Sequence, residues 1–225
     1  GVGPAAREAL ARAGIGEEEM RELAFAVAIT DFSNRAHSIA AIPSRPLEEL
    51  PEQLLPRLMR PLIKLMLRRS RFHGERMPAA PPAVPPLSRL VHAYEGSPIA
   101  PALARALDAM WASPVLTRRC KLLMFAVVSR GLSCQTCPHE IVTALRREGL
   151  SDATVAQVLT HLDASELDPV ERLLVPFARE TIWYEPDAIQ RRVRALREQL
   201  TPAQLLEAIG VASLANGLCR LGAMV

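Results

Sequence analysis

Apolar residues in this chain recur at the three-and-four spacing of a helix face, with polar positions falling between them in the same rhythm. The segment from Arg118 to Val128 carries the unbroken apolar run Leu122-Leu-Met-Phe-Ala-Val-Val128, and a second helical stretch from Ile141 to Arg147 stops at Gly149, a residue suited to the left-handed turn after a helix. Near the start, Pro4 to Ala13 reads as a short helix closed by Gly14. Glu17-Glu-Glu19 then place carboxylates in the first turn of a longer helix expected to run to about Ala40. Sustained period-two alternation and Asn-Gly hairpin turns are absent, so the pattern predicts an all-α fold.

Helix punctuation sharpens the second half. Ser97-Pro98 and Ser113-Pro114 each set a hydroxyl before a proline and predict helices running through Trp111 and through Gly131. Ser151 opens another helix. Asp168-Pro169-Val-Glu171 combines an N-cap, a first-turn proline and a returning carboxylate, and Thr201-Pro202-Ala-Gln204 repeats the device. Pro176 falls inside the helix begun at Pro169 and predicts a kink there.

Between these halves the chain is broken by proline. Pro43 and Pro46 end the long helix, and Pro51, Pro56 and Pro61 hold the next stretch to short turns until a helix can form over 62–71. That helix carries Lys64, Arg68, Arg69 and Arg71, a pattern expected of a solvated face or a subunit contact. Pro78-Ala-Ala-Pro-Pro-Ala-Val-Pro-Pro86 reads as a semi-rigid linker. The expected organisation is an N-terminal helical segment over 1–76, a linker over 77–86 and a helical core over 87–225. One internal echo crosses that boundary: Glu18 to Arg35 can be laid over Ala203 to Arg220, two small-residue helices that close on Asp31 and Arg35 in one and Asn216 and Arg220 in the other. The echo suggests that the N-terminal segment is a partial repeat of the core.

Composition narrows the function. The chain has 225 residues, 49% of them hydrophobic, and no run was found that approaches the roughly 20 apolar residues of a membrane span, so a soluble protein is expected. The stretch Gly1-Val-Gly-Pro-Ala-Ala-Arg7 lacks the basic start and apolar middle of a secretory leader, which points to the cytoplasm. A net charge of +3 with only 4% aromatic residues offers neither the basic field nor the stacking platform that nucleic acid needs.

Chemistry concentrates in Ser129-Arg-Gly-Leu-Ser-Cys134-Gln-Thr-Cys137-Pro-His139-Glu140, where one predicted helix hands over to the next. A close cysteine pair in a chain this large reads as redox or metal chemistry in a reducing compartment. Cys137 precedes Pro138 and is expected at a helix start, where the dipole and free amides would stabilise its thiolate. A sulfenic acid formed there would have Cys134 beside it as a resolving thiol. His139 and Glu140 stand next in line as proton donor and partner carboxylate. Cys120 and Cys219 lie in apolar helical patterns and read as buried packing residues, and His37, His73, His92 and His161 are scattered and read as structural.

From about residue 87 to 225, Cys134-Gln-Thr-Cys137, Gly149-Leu-Ser-Asp152, Asp168-Pro-Val-Glu-Arg172, Phe177-Ala-Arg179 and the stretch Asn216 to Arg220 follow one another in an order that resembles the AhpD-like, carboxymuconolactone decarboxylase superfamily. The resemblance implies an AhpD-like multi-helix bundle and alkyl hydroperoxidase chemistry without a bound cofactor. Cys137 would attack a hydroperoxide, Cys134 would close the disulfide, and a dithiol donor would reopen it. It also implies a homo-oligomer. The chain departs from the family pattern at the proton relay, with Ile141 where the family has a histidine and Leu122 where it has a glutamate; His139 and Glu140 are the candidates to replace them.

Two other readings stand beside this one. Cys134, Cys137 and His139 with Cys120 or Cys219 would make a four-ligand structural zinc site. Alternatively, the superfamily fold serves decarboxylase-like or isomerase-like work on a small acid, or binding alone, with the cysteine pair structural.

Overall fold

The computed structural model describes residues 4–41, 86–134, 137–183 and 185–224. Ten α-helices and no strand are found among them. In chain order they are α1 (Pro4–Arg12), α2 (Glu17–Ile39), α3 (Ser88–His92), α4 (Ile99–Ala112), α5 (Arg118–Gly131), α6 (Pro138–Arg147), α7 (Asp152–His161), α8 (Pro169–Glu180), α9 (Pro186–Arg197) and α10 (Pro202–Met224). The all-α expectation holds. The expected helix over 62–71 and the expected 77–86 linker, apart from its last residue, lie outside the described residues.

Two helices form the centre, and their sequences say why. In α5 every side chain from Cys120 to Ser129 is buried, so a helix apolar all round is enclosed all round, with α6, α7, α8 and α10 against it. In α10, Ala208, Ala212, Ala215 and Cys219 are fully buried at spacings of four, three and four, a stripe of small side chains that lets a neighbour approach closely. On another face of α10, that of Gly217 and Arg220, α2 makes the most extensive pairing between helices among the described residues. A Cβ on Gly217 would come within 2.9 Å of the Ala28 carbonyl oxygen, so glycine is required where the two helices meet.

Helix α10 also corrects the expectation from run lengths. It is long and apolar enough, by length and composition, to cross a membrane over Pro202–Gly222, yet 67% of that window is buried inside the fold. It carries Glu207 and Arg220 and serves here as a core helix.

Buried ionic groups tie the central helices to their surroundings. Lys121 is fully buried and donates to the carbonyls of Met110 and Ser113 at 2.7 and 2.6 Å, while pairing with Glu207 at 2.7 Å. Glu207 in turn accepts the Leu116 amide at 2.8 Å, so one ion pair fixes the α4–α5 connection to α10. Arg119 grips the fully buried Glu171 with two bonds of 2.7 and 2.8 Å, and Glu171 closes the capping box of α8 with Asp168.

The punctuation signals fare unevenly. Ser151 and the Asp168 and Thr201 devices cap α7, α8 and α10 as expected, and α8 continues past Pro176 to Glu180. Ser113 does not open α5. It ends α4, its carbonyl is taken by Lys121, and the cap of α5 is Thr117, whose hydroxyl accepts the Cys120 amide at 3.1 Å. Ser97 accepts the Ile99 amide at 3.3 Å, so α4 begins one residue after the expected proline.

Candidate functional site

The close cysteine pair is placed by how α5 ends. Leu132 caps the helix and Ser133 turns into the left-handed region at φ 52. The Ser133 amide bonds back to the Arg130 carbonyl at 3.2 Å, and the Cys134 amide reaches the Ser129 carbonyl at 3.0 Å. This is the hydrogen-bond pattern of a Schellman stop, and it fixes the direction in which Cys134 leaves the helix. Cys137 is the N-cap of α6, with Pro138 at its first position and its carbonyl accepting the Ile141 amide.

Both thiols are inside the protein, Cys134 at 4% and Cys137 at 1% exposure, and Cys134 Sγ donates to Cys137 Sγ at 3.0 Å. A third thiol joins them. Cys219, fully buried on α10, puts its sulfur with the other two so that all three lie within 4.8 Å of one another. The sequence pattern of α10 gave Cys219 a packing role, and the zinc reading named it beside Cys120 as a distant fourth ligand. Cys120, the other expected packing residue, is buried apart from this cluster, and its thiol is pushed up to about 12, chiefly by burial.

Electrostatics at the cluster run opposite to the helix-start expectation. The Cys137 thiol is pushed well above its ordinary range, first by the hydrogen bond with Cys134, then by burial and, to a smaller extent, by the negative charge of Glu140. Its hydrogen bond with Cys219 pulls the other way and does not reverse the outcome. The Cys219 thiol is also raised, through its hydrogen bonds with Cys134 and Cys137 and through burial. The helix dipole is worth about 2 kcal/mol at most. Here the Cys137 side chain accepts no first-turn amide that would focus that field. Burial and the neighbouring thiol thus favour the protonated form of Cys137 over its thiolate.

His139 and Glu140 face away from this chemistry. His139 is exposed and, with Ser88, Arg89, Arg118, Glu140 and Glu148, lines a surface cleft of about 300 Å³ that contains no cysteine. Glu140 accepts the amides of Ser88 and Arg89 at 2.9 and 3.2 Å, with the Ser88 hydroxyl at 3.3 Å. It thereby caps the five-residue α3, whose own N-cap, Leu87, has no oxygen to offer. Ile141 and Leu122 are fully buried apolar residues. The four-ligand zinc set does not assemble either, because the cluster contains Cys219 and neither His139 nor Cys120.

A buried polar group escaped sequence reasoning, although the internal echo pointed at its members. Arg35 pairs with Asp31 at 2.9 Å and donates to the Thr181 carbonyl; Asn216 donates to the Thr181 hydroxyl at 2.9 Å and to the Ala212 carbonyl at 2.9 Å. Arg220 reaches Asp31 at 3.4 Å. Asn216 and Cys219 are three apart on α10, so this polar group and the thiols share one face of that helix.

No family model, no curated protein and no solved structure matches this chain.

Proposed function

We propose that the protein is a thiol-dependent hydroperoxide reductase, with Cys137 as the attacking and Cys134 as the resolving cysteine. The observation that carries the reading is the 3.0 Å approach of the two sulfurs at the handover from α5 to α6. Cys137, once ionised, attacks the terminal oxygen of a hydroperoxide; the O–O bond breaks, and the alkoxide takes up a proton and leaves as an alcohol. Cys134 then attacks the resulting sulfenic sulfur and expels water, leaving a disulfide. The two electrons that reduced the peroxide came from the two thiols. An external dithiol returns them, and no bound cofactor takes part.

Burial supports the second step and slows the first. A sulfenic acid shut away from bulk water and touching a thiol condenses before it can be oxidised further, whereas a raised thiol pKa keeps the nucleophile scarce at neutral pH. His139 lines the neighbouring surface cleft, which holds no cysteine, so the proton for the alkoxide comes from a thiol or from solvent. The reducing cytoplasm as compartment is carried over from the cysteine spacing, and a dithiol protein or small thiol as reductant and a homo-oligomeric assembly from the family resemblance.

The test is the intact mass of the reduced protein before and after one equivalent of hydroperoxide. Loss of two protons, with Cys134 and Cys137 then protected from alkylation, supports the reading. Unchanged mass with peroxide left unconsumed would sink it.

A further inference from the structure

Three thiols converge from three places in the chain: just past the end of α5, the start of α6 and the C-terminal third of α10. A disulfide pair needs only two of them. The third thiol is as deeply buried as the others and its sulfur lies within 4.8 Å of both, so the cluster is a three-sulfur site rather than a pair with a bystander. Among the described residues no histidine, aspartate, glutamate or further cysteine completes it to four.

Charge decides which ligand such a site takes. The largest influences on Cys137 and Cys219 are the neighbouring thiols and burial, joined at Cys137 by the Glu140 carboxylate. Zinc held by three thiolates would leave a net negative centre and still lack the fourth ligand that its tetrahedral sites use. Cu(I) would leave a centre more negative still. An uncompensated ion in such a place costs several kcal/mol, so both are disfavoured. A trivalent metalloid bound by three thiolates is neutral, and its lone pair occupies the fourth direction, so a set of three sulfurs is complete.

We propose that Cys134, Cys137 and Cys219 together form a binding site for a trivalent, three-coordinate, thiophilic metalloid of the arsenite type. Binding is a condensation. Each S–H bond breaks as an As–S bond forms, each departing hydroxide takes that proton, and As(OH)3 with three thiols gives the trithiolate and three waters. No electron moves, and no net proton is released into the buried cluster.

The test uses the full chain, reduced and kept free of oxygen, titrated with arsenite and weighed intact. Wild type should take up one arsenic and lose three protons, and Cys120→Ser should do the same. Cys219→Ser should lose only two protons and surrender its arsenic to a small competing dithiol that wild type resists. Failure of wild type to bind, a loss of only two protons, or equal surrender by Cys219→Ser would each overturn the proposal, as would stoichiometric zinc that arsenite does not displace. Should Cys219→Ser fail to fold, X-ray absorption on the wild-type complex decides: three sulfur neighbours support the site, and two with an oxygen refute it. Arsenite uptake needs no oxidant, so this outcome is independent of whether the protein consumes peroxide.

Discussion

Asp31 on α2 stands 3.4 Å from Arg220 on α10, across the most extensive helix pairing among the described residues. The same carboxylate holds Arg35 at 2.9 Å. Arg35 and Arg220 are the two residues that coincide when the α2 and α10 sequences are laid over one another. One carboxylate thus answers both arginines.

Asp31→Ala should therefore be costly, because it takes from Arg35, only 6% exposed, the carboxylate that answers its buried charge. The expected loss is about 3 kcal/mol, near the low end for a broken buried pair because Asp31 itself is partly open to water. Urea unfolding of the two proteins measures it; a loss under about 1 kcal/mol would show that the pair is not holding the helices together.

Lys121 and Glu207 invite a double-mutant cycle. Lys121→Met or Glu207→Leu alone strands a charge in the core and should cost about 3–5 kcal/mol. The double variant should cost clearly less than the sum of the singles, since the stranded charge disappears. Strict additivity would mean that the ion pair contributes little beyond its separate contacts.

The raised thiols give the protein an alkaline limit. Cys120 has a folded value of about 12 against an ordinary 9.0, so as pH climbs the unfolded chain loses this proton first. The stabilising difference is complete below about pH 9 and drains away as pH rises toward 12. Stability measured by urea midpoint should fall across that window, and Cys120→Ala should flatten the fall. By the same sign, the rate of Cys137 alkylation should keep rising above neutral pH with no plateau near pH 7. A plateau there would mean a thiolate that the buried cluster does not allow.

His139 and Glu140 should separate cleanly. Glu140→Gln weakens the cap on α3 and should cost about 1 kcal/mol of stability. His139→Gln, on an exposed position, should change stability by less than about 0.5 kcal/mol and leave the pH dependence of Cys137 alkylation where it was. A downward shift of alkylation in wild type that the His139 variant abolishes would restore the histidine to the thiol chemistry.

What the sequence made legible was local. Caps that depend on neighbouring residues, such as Ser151 to Thr154 or Asp168 to Glu171, were readable because both partners lie within one turn. Ser113 misled because its hydroxyl and the proline after it imitate a helix start, while the decisive contact is its carbonyl with Lys121, a long-reach interaction that no turn pattern encodes. Cys134 and Cys137 announced themselves by spacing. Cys219 did not, since it meets them only through the packing of α10 on the rest of the bundle. Glu140 looked catalytic by adjacency and is occupied by Ser88 and Arg89, partners more than fifty positions away.

The trio of sulfurs also gives the chain a choice of cross-links with unequal mechanical weight. A bond between Cys134 and Cys137 closes a loop of one turn and restricts the unfolded chain by about 2 kcal/mol. A bond between Cys137 and Cys219 would instead encircle everything from α6 to α10, and the chain-entropy relation puts that constraint at roughly 4–5 kcal/mol. Passing an oxidising equivalent from the first pairing to the second would convert a local clasp into a girdle around the C-terminal half of the fold. Resistance to unfolding would then report which sulfur holds the bond.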